Sequence, residues 1–154
     1  MIRAMIVHDV RLISDLLTTV LESQDVLQVV GRASTPGEAL AVLATTPCHL
    51  AIVNSVLPNA SVLKLIRAIV KQFSDVKIVM VGLAESQTAI VQCLEAGAAG
   101  YVLESEGIEQ LMNVVRHAAA NEALITPSIA AALIARVSQL KRLATELNGY
   151  DRAD

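Results

Sequence analysis

The sequence predicts an α/β fold: an open, doubly wound parallel sheet in the strand order 2-1-3-4-5, followed by a C-terminal extension helix. Three observations predict it. Apolar runs of strand length alternate with helix-period segments about five times, which is the signature of a parallel sheet. The connections are short, so each helix crosses directly back to the next strand. One run, Val76 to Val81, is continuous in apolar residues, as a strand covered on both faces requires.

The elements follow in order. Met5 to Val7 is a first strand closed by His8 and Asp9. Val10 to Ser23 has helical spacing, with Leu12, Leu16, Leu17, Val20 and Leu21 as the expected inward stripe and Asp9 as a candidate cap. Val26 to Val30 is a second strand. Thr35-Pro36-Gly37-Glu38 combines a capping box with proline at the first helical position, so a helix starts there and runs to about Leu43 or Thr45. His49 to Asn54 is the third strand, stopped by a polar residue and then Pro58. Ala60 to Phe73 is helical, with Val62, Leu65, Ile66, Ile69 and Val70 inward. Val76 to Val81 is the fourth strand, and Gln87 to Ala96 is a helix closed by Gly97. Gly100 to Leu103 is a short fifth strand. Ile108 to Ala119 is a helix with Leu111, Met112, Val115 and Ala118 inward.

Beyond Thr126-Pro127, another cap and N1 proline, Ala130, Leu133, Val137, Leu140, Ala144 and Leu147 recur at spacings of three and four. That is an a/d seam of about two and a half heptads, expected to join two copies of the chain or to pack on its own domain. Arg136, Lys141 and Arg142 lie near its flanks, and Asn148 to Asp154 reads as a polar, frayed end. The expected division is residues 1–122 for the α/β domain and 123–154 for linker and helix.

Composition bounds the function. A chain of 154 residues is long enough for one full core, and 54% hydrophobic residues exclude a disordered chain. Aromatics are 2%, so the core must be aliphatic. The net charge of -3 argues against general nucleic-acid binding through this segment. No run of about 18 apolar residues reads as a membrane span, and the N-terminus lacks a secretion signal. Cys48 and Cys93 have no paired spacing and read as free buried thiols, so the expected location is cytoplasmic. No cofactor is called for.

In such a sheet, chemistry sits beyond the carboxyl ends of the strands. That edge gathers His8 and Asp9 from the first strand, Asn54 from the third, Gly82 from the fourth and Glu104 from the fifth. Asn54 occupies the central position. An aspartate there would be a nucleophile; an uncharged amide is not.

Three stretches resemble the receiver domains of two-component response regulators, most closely the NarL/FixJ-type subfamily. They are Gln28 to Leu40, Gly97-Ala98-Ala99-Gly100-Tyr101-Val102-Leu103, and Asn121 to Pro127, within a match over about residues 2 to 132. The resemblance implies a flavodoxin-like (βα)5 fold in bacterial two-component signalling. It places an acid pair at His8 and Asp9, a phospho-acceptor at Asn54, a hydroxyl at Gly82, a lysine at Glu104 and a switch aromatic at Tyr101. Only Asp9 retains the family's residue type among the first five. Phosphoryl transfer requires a nucleophile, Mg²⁺ held by oxygens, and cations for the growing charge. The implied function is therefore a pseudo-receiver, an atypical non-enzymatic module acting in signalling or transcriptional regulation through protein contacts and dimerisation. DNA would be reached only through an effector domain, and no recognition helix appears in these residues.

Other readings stand beside this one. His8 and Glu104 could form an ion pair, or titrate as a switch. His8, Asp9 and Glu104 could hold a metal, and the altered pocket could sense a ligand. Hydrolysis with His8 as base lacks a nucleophile, since Ser55 should point away from Asn54. Residual phosphorylation would fall on Asp9. Tyr101 also reads as a half-buried strand aromatic, and His49 and His117 as surface residues.

Overall fold

The computed structural model describes residues 1–153, with side chains through Gly149. In chain order the elements are β1 (Ile2–Val7), α1 (Arg11–Glu22), β2 (Leu27–Ala33), α2 (Pro36–Thr45), β3 (Leu50–Asn54), α3 (Val62–Gln72), β4 (Lys77–Leu83), α4 (Gln87–Ala96), β5 (Gly100–Leu103), α5 (Ile108–Ala119) and α6 (Pro127–Ala153). The five strands are all parallel, in the order β2-β1-β3-β4-β5. This is a flavodoxin-like fold followed by a C-terminal helix.

Side chains alternate across the sheet. Ala4, Ile6, Leu50, Ile52, Val79 and Val102 join one buried cluster with Leu21 of α1 and with Leu111, Met112, Val114, Val115 and Ala118 of α5. The intervening residues Met5, Val7, Ala51, Val53, Ile78 and Met80 are buried as well. Each such branched side chain contributes about 1.5–3 kcal/mol of burial, which explains how a core almost without aromatics suffices.

Helix starts follow local chemistry. The side chains of Thr35, Ser61 and Ser86 accept hydrogen bonds from Glu38, Lys64 and Ala89 N–H groups. Glu38 reaches back to Ser34, accepting from its N–H and hydroxyl at 2.9 Å each. Glu38 therefore holds its charge more readily than usual, its pKa lowered by those two donors. Asp9 does not cap α1: the N-cap residue is Val10, which offers no side-chain bond.

The stripe on α1 is rotated from its expected position. Leu21 and Ser14 are buried, whereas Leu12 and Leu16 are 66% and 53% exposed, with Val10 and Ile13 exposed beside them. Val70 of α3 is also exposed, because it covers Gly97 at the start of the next turn instead of facing the sheet. Cys93 is buried but Cys48 only partly so. Burial pushes both thiols up in pKa, which keeps them protonated; nearby Arg3 opposes this at Cys48. Tyr101 is buried, not half-buried.

The chain forms two compact units, Met1–Leu124 and Ile125–Asp154. The second unit is α6, started by Thr126, whose hydroxyl accepts from Ile129 N–H at 3.3 Å. Val137, Leu140, Ala144 and Leu147 of its seam are exposed, Ala130 and Leu133 less so. Helical backbone continues through Ala153, past Asn148, the expected start of fraying; Asp154 lies outside the described residues. None of the helices is long and apolar enough to cross a membrane, among the described residues.

Gly97 closes α4 at φ +121°, and a Cβ there would meet Val70 Cγ2 at 2.5 Å. Gly97→Ala combines left-handed strain with a clash against the exposed Val70 side chain and should cost about 1–3 kcal/mol. Gly37, with open space around it inside α2, should gain about 0.4–1 kcal/mol as Gly37→Ala. Urea denaturation of the two variants measures both.

Candidate functional site

The carboxyl edge of the sheet does bring Asp9, Asn54 and Gly82 together. Asn54 leaves β3 half-buried, and its Nδ2 donates to Asp9 Oδ1 at 3.3 Å and to the Val56 carbonyl at 2.8 Å. Its Oδ1 faces Gly82, where a Cβ would approach to 3.1 Å. Gly82 lies at φ +68°, inside an irregularity where the β4–β5 register shifts between Met80 and Leu83. A left-handed residue at a bulge is a glycine position. Position 82, where the resemblance expects a hydroxyl residue, therefore holds a backbone conformation that a serine or threonine adopts only under strain.

Ser55, just beyond β3, does not point clear of Asn54: both side chains lie against Gly82. Its hydroxyl donates to the Gly82 carbonyl at 2.8 Å while its N–H donates to Val81 O at 2.9 Å. Together these bonds pin the end of β3 to the irregular segment of β4.

His8 receives the Val10 N–H on Nδ1 at 3.0 Å. A nitrogen accepting a hydrogen bond carries no proton, so the imidazole is neutral with its proton on Nε2. Nδ1 also lies 3.6 Å from Asp9 Oδ1. Burial lowers the His8 pKa, and the Asp9 charge offsets this only in part. The contact is therefore no ion pair at neutral pH.

Glu104 does not pair with His8. It follows β5, separated from β1 by two strands, and at about 4.8 Å per strand a glutamate is too short to span that width. Its N–H donates to Leu83 O at 2.9 Å. Gly82 and Glu104 line a small, largely apolar cleft of about 220 Å³ with Leu17, Val102 and Leu111. His8 and Asp9 line a different cleft of about 440 Å³. The expected site is thus divided. The metal triad of His8, Asp9 and Glu104 does not assemble, and among the described residues no group of three or more His, Cys, Asp or Glu is placed to hold a metal. His49 is exposed but takes the Arg3 N–H on Nδ1 at 2.9 Å; His117 bonds the Asn113 carbonyl within α5.

Sequence reasoning missed the Val56 carbonyl and the residues around the larger cleft: Arg11, Ser14, Arg32 and Glu38. The signal for Arg32 was available, since β2 and β1 are neighbours and Arg32 pairs with Ile6 in register.

Comparison with known proteins fits this fold. Residues 4–116 match the family described as response regulator receiver domain. The chain belongs to that family. Response regulator GacA of Pseudomonas protegens is 30% identical over 134 residues, covering 87% of this chain and 63% of that protein. The chain therefore spans less than two thirds of that relative's length. The DNA-binding transcriptional activator DevR/DosR of Mycobacterium tuberculosis is 26% identical, covering 97% of this chain and 69% of its own length. A LuxR-family two-component response regulator from Aurantimonas sp. superimposes with TM-score 0.78 at 22% identity, over 88% of this chain and 97% of that one. The receiver of RcsB from Salmonella enterica, solved with the phosphomimetic BeF3-, gives 0.75 at 17%, over 84% and 96%.

The family implies a magnesium ion at this edge. Mg²⁺ requires oxygens arranged octahedrally at about 2.0–2.1 Å. Here the Asp9 carboxylate and the Val56 carbonyl converge on an amide nitrogen, and His8 replaces an oxygen ligand with a nitrogen already used as an acceptor. These residues do not fit the ion.

His8 sets a pH dependence of stability. Its folded pKa lies below the ordinary 6.5, so the neutral form is favoured by folding. The contribution is complete above that value and is lost as the pH falls through it, because the unfolded chain takes up the proton first. Stability should decline as the pH falls through the ordinary histidine range and below it, and His8→Asn, which keeps an acceptor near the Nδ1 position, should flatten that decline in urea titrations.

Proposed function

We propose that this receiver works without phosphorylation: a pseudo-receiver that transmits signals by protein contact and dimerisation. One observation carries the reading. The amide of Asn54 supplies, from within the protein, the positive hydrogen-bonding partner that Asp9 and the Val56 carbonyl would otherwise find in a cation. The other positions support it in the same direction. Gly82 removes a hydroxyl and occupies a left-handed conformation. Glu104 puts a negative charge where a lysine would meet phosphoryl oxygens. At about 4 Å and an effective dielectric near 20, one such charge is worth about 4 kcal/mol, and here its sign is reversed. In this reading His8, Asp9, Asn54, Gly82 and Glu104 are structural remnants of a phospho-acceptor pocket, and the buried Tyr101 has no hydroxyl residue at position 82 to couple to.

The protein is then a binding module and not an enzyme. The outward apolar row of α1 supports an output by contact. Residues 123–154 are read as linker and dimerisation helix. The exposed Val137, Leu140 and Leu147 support a helix that covers its seam with a second copy. RcsB is described as dimers bound to two parallel DNAs. By analogy, DNA contact here would come through an effector domain outside these 154 residues.

Incubation with a small phosphodonor and Mg²⁺, followed by intact-mass measurement, should show no added phosphoryl group. Asn54→Asp with Glu104→Lys should restore little labelling, since His8 and Gly82 remain. Stable labelling of the unaltered chain would end the proposal. For the helix, Leu133→Glu with Leu140→Glu should convert a dimer to a monomer by sedimentation; an unchanged mass would remove the seam from the interface.

A further inference from the structure

The larger cleft lies on the β1–β2 side of the sheet edge, away from Asn54, Gly82 and Glu104. Its volume of about 440 Å³ is within the size of small-molecule sites. Three of its features point to a ligand.

First, Ser14 lines it from α1 and is only 6% exposed, yet its hydroxyl has no hydrogen-bond partner among the described residues. The hydroxyl opens into the cleft and is not sealed from solvent: the one fully buried side-chain polar atom without a partner among the described residues is Arg3 Nε. Second, His8 lines the same cleft with its side chain 10% exposed. Its Nδ1 is taken by Val10, leaving Nε2–H as a donor with no partner among the described residues. Third, α1, a 12-residue helix, begins here with no side-chain cap, so its first N–H groups and its dipole face this end. Arg11, on the first turn, adds a guanidinium to the same wall.

These donors select an oxyanion, and the charges around them select which kind. Of the lining carboxylates, Asp15 is paired with Arg32, Glu38 is engaged by Ser34 and Asp9 by Asn54. The sum over Arg11, Arg32, Asp9, Asp15 and Glu38 is two positive against three negative charges. A phosphate dianion would meet that excess. A molecule bearing one carboxylate and one ammonium would not: its carboxylate meets Ser14, His8 and Arg11, and its ammonium meets the remaining carboxylate oxygens of Asp9 and Glu38.

We propose that the cleft between the β1 and β2 ends, floored by Ser14 and His8, binds a small zwitterion with the chemistry of a free α-amino acid. The site does not depend on the fate of the acceptor position, so its failure would leave the absence of phosphorylation untouched, and the reverse.

Isothermal titration calorimetry of the whole chain against each proteinogenic amino acid, with NMR of the His8 imidazole, tests it. At least one amino acid should bind with a millimolar or tighter Kd and shift the Nε2 signal. Arg11→Ala and Ser14→Ala should each weaken it about tenfold or more, while Arg67→Ala, exposed on α3, should leave it unchanged. The matching amine and 2-oxo acid should each bind at least about tenfold more weakly. No heat and no His8 shift for any amino acid at about 10 mM would overturn the proposal. So would binding indifferent to Arg11 and Ser14, or inorganic phosphate or the 2-oxo acid binding as well as the amino acid.

Discussion

Two hydrogen bonds from one amide nitrogen organise the sheet edge. Asn54 Nδ2 ties the loop after β3, through Val56, to the loop after β1, through Asp9. Two acceptor oxygens brought this close repel each other unless something positive stands between them. A divalent ion can serve, and so can an N–H donor. The amide is covalently part of the strand, so it exacts no entropy of capture and is insensitive to ion concentration. It also has no nucleophilic lone pair to offer. In the proposed reading, the same atom that ties the two loops takes the place of the chemistry.

The surrounding departures are physically coupled to that amide. Gly82 has no side chain, and Asn54 Oδ1 lies where a Cβ would have only 3.1 Å. The left-handed turn at Gly82 shifts the β4–β5 register, and Ser55 bonds its carbonyl in the new position. A hydroxyl residue at 82 would have to undo the turn, displace the amide and release Ser55. Interacting residues of this kind do not behave additively. Restoring one position at a time leaves the others holding the altered geometry.

Much of the fold was legible because its signals are local and redundant. The Thr35-Pro36-Gly37-Glu38 cap, the Gly97 stop and the unbroken apolar β4 each specify their element without reference to the rest. The rotation of α1 was not legible. Leu12, Ile13, Leu16, Leu17, Val20 and Leu21 spread over about half of the helix circumference, so periodicity alone does not fix which part of that arc faces inward. A buried serine, Ser14, decides it, against the ordinary rule that polar residues face out. The identity of the edge residues was also legible, since strand ends follow from strand boundaries. Their contacts were not. Asp9 reads as a cap from its neighbours in sequence, yet its partner is 45 residues away.

The expected pairing of His8 with Glu104 fails for a reason contained in the topology itself. In the order 2-1-3-4-5, strands one and five are separated by three and four. A lysine's long stem reaches inward across part of that distance; a glutamate is shorter and, carrying a negative charge, gains nothing by approaching Asp9. The consequence is a partition of the edge. Glu104 and Gly82 stay with the apolar cleft against α5, whereas His8 and Asp9 turn toward α1 and β2. In the proposed reading, an amide stands where a cation would have drawn these groups to one centre, and each side of the sheet edge satisfies its polar groups separately. Ser14 and His8 are on the β2 side of that divide, in the cleft for which the zwitterion site is proposed, and not beside Asn54.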